Sequence, residues 1–594
     1  MKSILLVVLS LCCSVLSLLP FSHPSGWSFL ASPRWTDGVP SPTNLTGPQV
    51  QLVQGLVTGL SVPQFGQDYF LGIPYAQPPL GELRFAKPQP LTVNASETID
   101  ATKFGNECLQ PIHPGTLGIT VSDLSEDCLV INVLRPSNLP RSANLPVMVW
   151  IYGGSFTTGA SQTYDGTEIV RQSVFLNESV IFISFNYRLN AFGFLGSPEL
   201  ADPATGTLNA GLYDMIGALK WVQENVGAFG GNKDRVTVFG ESAGAMGIGS
   251  LLVAGGGHYA KQHNLFHGAI MESGFPAGLP APIVSDLLPW TNIFVAAAGC
   301  PPSNFSIISC LRSKSSEALY RASLVTLNAT HSAFPFNRVV DGFFFKEGGA
   351  PEEVRRGNVA TVPVITGCNL DEGTHFIPHT FNTPDEMKLT SVCLVAAELL
   401  YVGNLSLATP EQTKLFNVLL DLYPDIPALG SPYNPIGVSK NDRFFGPHNQ
   451  YKRAASVFGD SVFHSGRRAL LDTYVKRNAN YPAWSYHYTQ VAPDAPPYLG
   501  VYHASEVPSV FGLYVDQNRT TVLGTTSLYM VSAWVAFANS FQPNRPYLPK
   551  WPQYGRQRHM LHIGNGDFNV ITDDFRKKGI EFLGRKDFTD TFNL

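Results

Sequence analysis

The segment from Arg235 to Ser250 constrains the fold of this chain more than any other. It opens with the β-branched and aromatic run Arg-Val-Thr-Val-Phe, which predicts a strand, and it continues into small residues from Ala243 onward, which predict the start of a helix. Between the two lies the sequence Gly240-Glu-Ser-Ala-Gly244. A serine between a strand and a helix sits on a sharp turn whose strained backbone exposes the hydroxyl group. We expect glycines at both ends of this turn because side chains there would collide with the neighbouring strand and helix.

The serine at the centre of this turn, Ser242, is therefore a candidate nucleophile. The N–H group of Ala243 would lie at the N-terminus of the following helix, where it can donate a hydrogen bond to a developing oxyanion. The alternative interpretation is an ordinary glycine-rich connection between a strand and a helix.

Short apolar strands alternate with amphipathic helices along most of the chain. We predict strands at 146–151, 180–185, 235–239, 362–366, 484–488 and 560–563, and helices at 211–228 and 523–539. This alternation predicts the α/β class, with a large, mostly parallel central sheet flanked by helices on both faces. The Pro/Gly-rich stretches near 20–43 and 426–437 are interpreted as a leader and a surface loop rather than as domain linkers.

The composition excludes several classes of protein. Charged residues make up 14% of the 594 residues, against about 25% in typical proteins, and the formal net charge is −5. A nucleic-acid-binding protein would show a basic stripe, and a disordered chain would combine low hydrophobicity with high net charge. Hydrophobic residues make up 44%, which is enough for a large core.

The N-terminus indicates the compartment. Lys2 precedes an apolar run from Ile4 to Leu19, which ends at Pro20. This pattern predicts a secretory signal peptide over residues 1–22 without a clear cleavage site, and the alternative is an N-terminal membrane anchor. No second apolar stretch is long enough to span a bilayer, so we expect no stable membrane anchor.

Glycosylation sequons and cysteines fit an extracellular protein. Seven Asn-x-Ser/Thr sequences are candidates for N-glycosylation, at Asn44, Asn94, Asn177, Asn304, Asn328, Asn404 and Asn518. Six cysteines remain after the signal peptide, at positions 108, 128, 300, 310, 368 and 393. Six cysteines allow 15 complete pairings, so the residues alone do not choose among them.

Motifs spread along the chain resemble those of the type-B carboxylesterase/lipase family of the α/β-hydrolase fold. This family includes carboxylesterases, fungal lipases, cholinesterases and neuroligins. Within it, the motifs of this chain most resemble those of secreted fungal carboxylesterases and lipases. Besides Gly-Glu-Ser-Ala-Gly, the matching segments are Phe70-Leu-Gly-Ile-Pro-Tyr-Ala76, Ser125-Glu-Asp-Cys-Leu129, Asn186-Tyr-Arg188, Val340-Asp-Gly342, Asp371-Glu-Gly373 and Ala536-Phe-Ala-Asn539. Because they run from about residue 50 almost to the C-terminus, the resemblance implies a single α/β-hydrolase catalytic domain over 23–594.

The resemblance also implies the partners of Ser242. A serine hydroxyl needs a base to take its proton, and that base needs an acid to orient it; in this fold the chain order is serine, acid, histidine. The family places its acid on the glutamate of the Asp-Glu-Gly segment, which is Glu372, with Asp371 as the rival. Histidines that follow are His375, His379, His448, His464, His487, His503, His559 and His562. The family's Gly-x-x-His-x-x-Glu pattern selects His503, whereas His487 is interpreted as a core histidine whose hydrogen bonds are satisfied.

The family forms its oxyanion hole from backbone donors of a three-glycine run and from the residue after the nucleophile. The corresponding run here reads Tyr152-Gly-Gly-Ser-Phe156, so the third glycine is replaced by Ser155. The resemblance therefore implies Gly154, Ser155 and Ala243 as donors, provided that Ser155 can adopt the backbone conformation of a glycine.

The resemblance implies two disulfides, Cys108–Cys128 and Cys300–Cys310. For Cys368 and Cys393 we favour free, buried thiols over a third disulfide between them. In cholinesterases the first disulfide loop carries a tryptophan that holds the choline cation, but residues 109–127 contain no Trp, Tyr or Phe. In fungal lipases the same loop is longer and forms a hinged lid. Here it is short and is broken by Pro111, Pro114, Gly115 and Gly118. We therefore expect an accessible site with little interfacial activation.

The function that the resemblance implies is hydrolysis of uncharged carboxylic esters through an acyl-Ser242 intermediate, with no metal and no organic cofactor. Short-chain carboxylesterase, lipase or sterol esterase, feruloyl-type esterase and cholinesterase remain alternatives within the enzymes. The alternative from another class is an adhesion-type relative that keeps the fold but loses a catalytic residue. Ser242, Glu372 and His503 are all present, which favours the enzyme.

Overall fold

The computed structural model describes residues 47–592, with gaps at 93–97, 113–122, 141, 278–280, 301–305, 331–334, 347, 381, 384–408, 494 and 516–520. The predicted signal peptide at 1–22 and the leader near 20–43 lie outside the described residues. The same is true of Cys393 and of the middle of the Cys108–Cys128 loop.

Eleven described strands form one mixed sheet. In chain order they are β1 Leu60–Val62, β2 Gln67–Pro74, β3 Val130–Pro136, β4 Leu145–Ile151, β5 Ile181–Phe185, β6 Gly231–Glu241, β7 Gly268–Glu272, β8 Val364–Asn369, β9 Ala483–Tyr488, β10 His559–Gly564 and β11 Asp567–Thr572. Their order across the sheet is β11-β10-β9-β8-β7-β6-β4-β5-β3-β2-β1. The seven strands from β10 to β5 are mutually parallel, and antiparallel strands complete both edges.

The central strands are buried on both faces. Every residue of β5, β7, β8 and β9 is buried, although successive side chains of a strand point to opposite faces. Helices must therefore cover both sides of the sheet, as the near-continuous apolar runs predict. The predicted α/β class and the mostly parallel sheet are confirmed.

The described α-helices lie mainly between the strands. They are α1 Thr167–Phe175, α2 Asn190–Phe194, α3 Ala210–Asn225, α4 Ala243–Gly257, α5 Tyr259–Gln262, α6 Val284–Ala297, α7 Ile307–Ser313, α8 Ser316–Thr330, α9 Gly349–Arg355, α10 Pro410–Leu422, α11 Tyr451–Gly459, α12 Ser465–Arg477, α13 Val507–Val510, α14 Val522–Ser540, α15 Lys577–Leu583 and α16 Lys586–Phe592. A π-helical turn at Asp460–His464 joins α11 to α12. No helix within the described ranges combines the length and the apolar character needed to cross a membrane.

All six strands and both helices predicted from periodicity are present, and their ends differ from the prediction by a few residues. The predicted strand at 235–239 is the core of the longer β6, and the predicted helix at 211–228 is α3 followed by a 3₁₀ turn at Val226–Phe229. The parallel strands β6, β8 and β9 direct the chain toward one end of the sheet, where parallel α/β sheets place their sites.

Candidate active site

Ser242 occupies the sharp turn between β6 and α4. Its backbone has φ 54° and ψ −125°, which is a strained conformation for a residue with a side chain. The Ser242 N–H donates to the carbonyl of Glu272 at the end of β7 (2.9 Å), and its carbonyl accepts from Met246 N–H in the first turn of α4 (2.8 Å). These bonds on both sides hold the strained residue in place.

The two glycines of the turn are required by the close approach of β4. A Cβ atom on Gly240 would lie 2.4 Å from the carbonyl oxygen of Ile151, and one on Gly244 would lie 2.0 Å from the same oxygen. Real Cβ atoms do not approach a backbone oxygen so closely. The predicted reason for both glycines is therefore confirmed.

The structure brings Ser242, His503 and Glu372 into one hydrogen-bonded chain. His503 Nε2 lies 2.8 Å from Ser242 Oγ, and His503 Nδ1 lies 2.6 Å from Glu372 Oε2. All three residues are buried. A serine, a base and an orienting acid at these distances have the geometry required of an activated nucleophile.

Glu372 and its rival Asp371 face different partners. Glu372 Oε1 accepts from Ser273 Oγ (2.5 Å) and from the Asn369 N–H (2.7 Å), which leaves Oε2 for His503. Asp371 instead accepts from the Val501 N–H and from residues 431 and 433. Burial raises the pKa of Asp371 to about 6, although these hydrogen bonds oppose the shift. Asp371 thus ties two loops together, and these hydrogen bonds go to residues other than His503.

His503 is the candidate histidine that reaches Ser242, and aromatic rings surround it. The rings of Phe463 and Phe376 have their centres 4.6 Å and 5.1 Å from the imidazole. His487 lies buried in β9, as predicted, and stacks on Phe575. The prediction that its hydrogen bonds are satisfied is wrong, because Nε2 has no partner among the described residues. Burial and nearby arginine charges lower the pKa of His487 well below its ordinary value.

The glycine-containing loop at 153–159 lies beside Ser242. A Cβ atom on Gly153 would meet Ser242 Cβ at 2.8 Å, which shows how closely the two segments pack. Ser155 has φ 60°, so this serine adopts the left-handed conformation that its position requires. In the described part of the chain, no protein group accepts a hydrogen bond from the N–H of Gly154 or Ser155. These donors are free to bind a ligand.

A cavity that contains Ser242 opens to solvent, and its empty space of about 330 Å³ includes the solvent at its mouth. Aromatic and aliphatic side chains line most of it, and no charged side chain is among the described residues that line it. The lining residues are Ser155, Phe156, Ser242, Ala243, Met246, Asn337, Phe376, Phe458, Val462 and Phe463. Such a surface suits an uncharged, largely apolar group.

Three further glutamates, Glu241, Glu272 and Glu506, are buried close to this site. Glu241 Oε1 lies 3.1 Å from His503 Nε2 without a hydrogen bond to it. Glu272 accepts from Trp534 Nε1, and Glu506 accepts from Asn369 Nδ2. Burial, and repulsion among these carboxylates and Glu372, raise the pKa of all three, to about 8 for Glu506. Burial therefore favours the protonated form of all three carboxyl groups.

The sequence interpretation missed these carboxyl groups. Glu241 lies inside Gly-Glu-Ser-Ala-Gly and Glu506 ends Gly-x-x-His-x-x-Glu, so both were visible in the motifs. Their burial beside one another depends on the fold, because β6, β7 and the segment after β9 are far apart in sequence.

The raised pKa of Glu506 predicts how stability depends on pH. A carboxyl group whose pKa is raised on folding stabilises the protein below its unfolded pKa, and this stabilisation is lost as pH rises through the folded pKa. For Glu506 this stabilisation is lost between about pH 4.5 and about pH 8. Glu506→Gln cannot lose a proton, so the stability of the wild type relative to this variant should fall by an amount on the order of a few kcal/mol across that pH range.

Thermal unfolding of both proteins from pH 5 to pH 9 measures this difference. Glu224→Gln removes an exposed carboxyl group and is the matched control, for which the difference should change little with pH. A difference for Glu506→Gln that stays constant over the whole range would contradict the assignment of a proton to Glu506.

Both disulfides implied by the resemblance are present, Cys108–Cys128 and Cys300–Cys310. Cys368 is a free, buried cysteine in β8, and burial raises the pKa of its thiol. Among the candidate glycosylation sites, Asn177 and Asn328 are described, and both are exposed. The other five, at positions 44, 94, 304, 404 and 518, lie outside the described residues.

Comparisons with known proteins identify the family of the chain. Residues 46–582 match the model of the carboxylesterase family. The chain is 36% identical to Lipase 1 of Geotrichum candidum over 86% of this chain and 91% of that protein. It is 30% identical to Secreted lipase 1 of Botryotinia fuckeliana over 92% of this chain and 94% of that protein.

The fold is shared with a solved structure. Aspergillus niger EstA superimposes with a TM-score of 0.76 and 25% identity, over 92% of this chain and 99% of that one. The family match spans most of the sequence, and the alignments with the two fungal relatives cover most of the length of each relative. The chain is therefore a carboxylic ester hydrolase that belongs to the carboxylesterase family.

Proposed function

We propose that this chain is a secreted serine hydrolase that cleaves uncharged carboxylic esters through an acyl-Ser242 intermediate. The observation that carries the proposal is the hydrogen-bonded chain from Ser242 Oγ through His503 to Glu372, with distances of 2.8 Å and 2.6 Å. No cofactor enters the proposed reaction, since the nucleophile, the base and the oxyanion donors all belong to the chain.

In the first half of the reaction, His503 Nε2 takes the proton of Ser242 as Oγ attacks the ester carbonyl carbon. The negative charge that develops on the carbonyl oxygen is stabilised by N–H groups of Gly154, Ser155 and Ala243. Glu372 orients the imidazole and stabilises its charged form. The tetrahedral intermediate then breaks its bond to the alcohol oxygen, which leaves with the proton from His503.

In the second half, a water molecule replaces the alcohol. His503 takes a proton from this water as its oxygen attacks the acyl carbon, and a second oxyanion forms at the same donors. Collapse of this intermediate returns the proton to Ser242 Oγ and releases the carboxylic acid. The enzyme therefore regains its starting state after one ester and one water are consumed.

The preference for uncharged esters is supported by the lining of the cavity. The apolar side chains that line the cavity include Phe156, Met246, Phe376, Phe458 and Phe463. The sequence of the disulfide loop lacks an aromatic residue that could hold a cation. Choline esters should therefore not be preferred over uncharged esters of equal acyl length.

A lipase with long-chain preference is the second candidate, because two of the fungal relatives are named lipases. Secretion is supported by the name of the Botryotinia protein, by the two disulfides and by the exposed Asn177 and Asn328.

We predict that p-nitrophenyl esters are hydrolysed below their solubility limit and that the rate shows little interfacial activation. The reason is the short Cys108–Cys128 loop, whose prolines and glycines break any helix that could form a lid. The measurement is a rate series from acetyl to palmitoyl esters, each followed across its solubility limit.

Each outcome of this series separates the candidates. A sharp rise in rate above the solubility limit, together with a preference for palmitoyl, would replace the esterase with the lipase. Absence of hydrolysis for every ester would favour a non-catalytic, adhesion-type relative.

A further inference from the structure

The 153–159 loop is held in a conformation that it would not adopt alone. Four of its seven residues have positive φ angles, and two of these, Ser155 (60°) and Phe156 (57°), are not glycine. A non-glycine residue is strained in this region, so the surrounding structure must hold it there. Within the loop, the N–H groups of Thr157 and Thr158 donate to the carbonyl of Gly154.

The segment Glu107–Gln110 supplies the restraint from outside the loop. Gln110 Oε1 accepts from the Gly159 N–H (2.7 Å), and Gln110 Nε2 donates to the Gly159 carbonyl (3.0 Å). One side-chain amide thus satisfies both backbone groups of a single residue, as a neighbouring strand would. Gly159 has φ 118°, and a Cβ there would meet the Tyr152 ring at 2.6 Å, so no other residue fits this position.

Gln110 is itself fixed. Its side chain is 5% exposed, and its Nε2 also lies 3.3 Å from Glu107 Oε2 and from the Cys108 carbonyl. The Cys108–Cys128 disulfide anchors the same segment. Asn190 adds a second link, since its Nδ2 donates to the Leu109 carbonyl (2.6 Å) while its backbone N–H donates to the Phe156 carbonyl (2.8 Å).

We propose that Gln110 is a positioning residue for ester hydrolysis: its amide clamps Gly159 and thereby holds the strained 153–159 loop with the N–H groups of Gly154 and Ser155 in place to bind the oxyanion. This inference rests on the proposed function of those two donors. Gln110 does not touch the cavity that contains Ser242, so it acts on the reaction only through the loop.

The test is Gln110→Met, which nearly keeps the volume of the side chain but removes both hydrogen bonds to Gly159. Loss of one oxyanion donor costs about 10²–10³ in kcat, and displacement by about 1 Å costs about 10². We expect kcat to fall about 10- to 100-fold while KM changes by less than about threefold. The inhibition constant of a trifluoromethyl ketone, whose adduct with Ser242 carries an oxyanion, should rise by the same factor as kcat falls.

The matched control is Gln67→Met. Gln67 is equally buried, donates to a backbone carbonyl at Thr167 (2.9 Å) and lies in β2, outside the cavity that contains Ser242. It should lose thermal stability but keep kcat and the ketone affinity. If Gln110→Met does not fold, Gln110→Asn keeps the amide but is one methylene too short to reach Gly159, and the same results are expected.

A kcat within about twofold of wild type in the folded Gln110 variant would overturn the proposal, and so would an equal loss in Gln67→Met. Ser242→Ala separates this failure from that of the proposed function. If Ser242→Ala is inactive while Gln110→Met is normal, only the positioning role is wrong. If Ser242→Ala stays active, the proposed mechanism itself is wrong.

Discussion

The single variants Ser242→Ala and His503→Ala should each lose nearly all ester hydrolysis, with kcat falling about 10⁵-fold or more. Ser242 supplies the attacking oxygen, and His503, whose Nε2 lies 2.8 Å away, is the group placed to accept its proton. Because the two act as one unit, the double variant should be little worse than either single variant. Steady-state rates with a soluble p-nitrophenyl ester measure all three.

Two controls accompany this prediction. His448→Ala removes an exposed histidine that also follows residue 372, and it should leave turnover unchanged. Thermal unfolding should show that the Ser242 and His503 variants remain folded. Near wild-type turnover in His503→Ala would show that another histidine is the base.

Replacing Glu372 by alanine should cost about 10⁴-fold in kcat, somewhat less than the loss of Ser242 or His503. The base is still present in this variant, but nothing holds its Nδ1, and Ser273 and the Asn369 N–H also lose their acceptor. The measurement is again kcat with a soluble ester, together with thermal unfolding.

Asp371→Asn is the matched comparison, because Asp371 is the adjacent buried acid. Its carboxylate accepts from Val501 N–H and from residues 431 and 433 rather than from His503. Its loss should lower stability more than turnover. A larger loss of kcat in Asp371→Asn than in Glu372→Ala would reverse the assignment of the acid.

The elements that carry Ser242 could be predicted from the sequence because the residues that indicate them lie close together along the chain. The apolar run of β6, the two glycines and the small residues of α4 follow one another in the sequence. The glycines are needed because a Cβ atom at either position would collide with the Ile151 carbonyl oxygen. His503 is different, since 261 positions separate it from Ser242. Eight histidines that follow residue 372 were candidates for the base, and only the resemblance to the family selected one of them.

The polar surroundings of the site could not be predicted in this way. Glu241, Glu272 and Glu506 are ordinary acidic residues in the sequence, and their raised pKa values arise from burial and from mutual repulsion that the fold creates. The clamp of Gln110 on Gly159 joins positions 49 residues apart. Neither the raised pKa values nor the clamp can be predicted from the sequence, because both depend on contacts that form only in the folded protein.

The most direct test of the acyl-serine mechanism is stoichiometric inactivation by the organophosphate diethyl p-nitrophenyl phosphate. The nucleophile should displace p-nitrophenolate and keep the diethylphosphoryl group, because the adduct resembles the tetrahedral intermediate. We expect one p-nitrophenolate released per active chain, complete loss of esterase activity, and a diethylphosphoryl group on the peptide that contains Ser242. Full activity after exhaustive treatment, or an inactivated enzyme with unmodified Ser242, would contradict the acyl-serine mechanism.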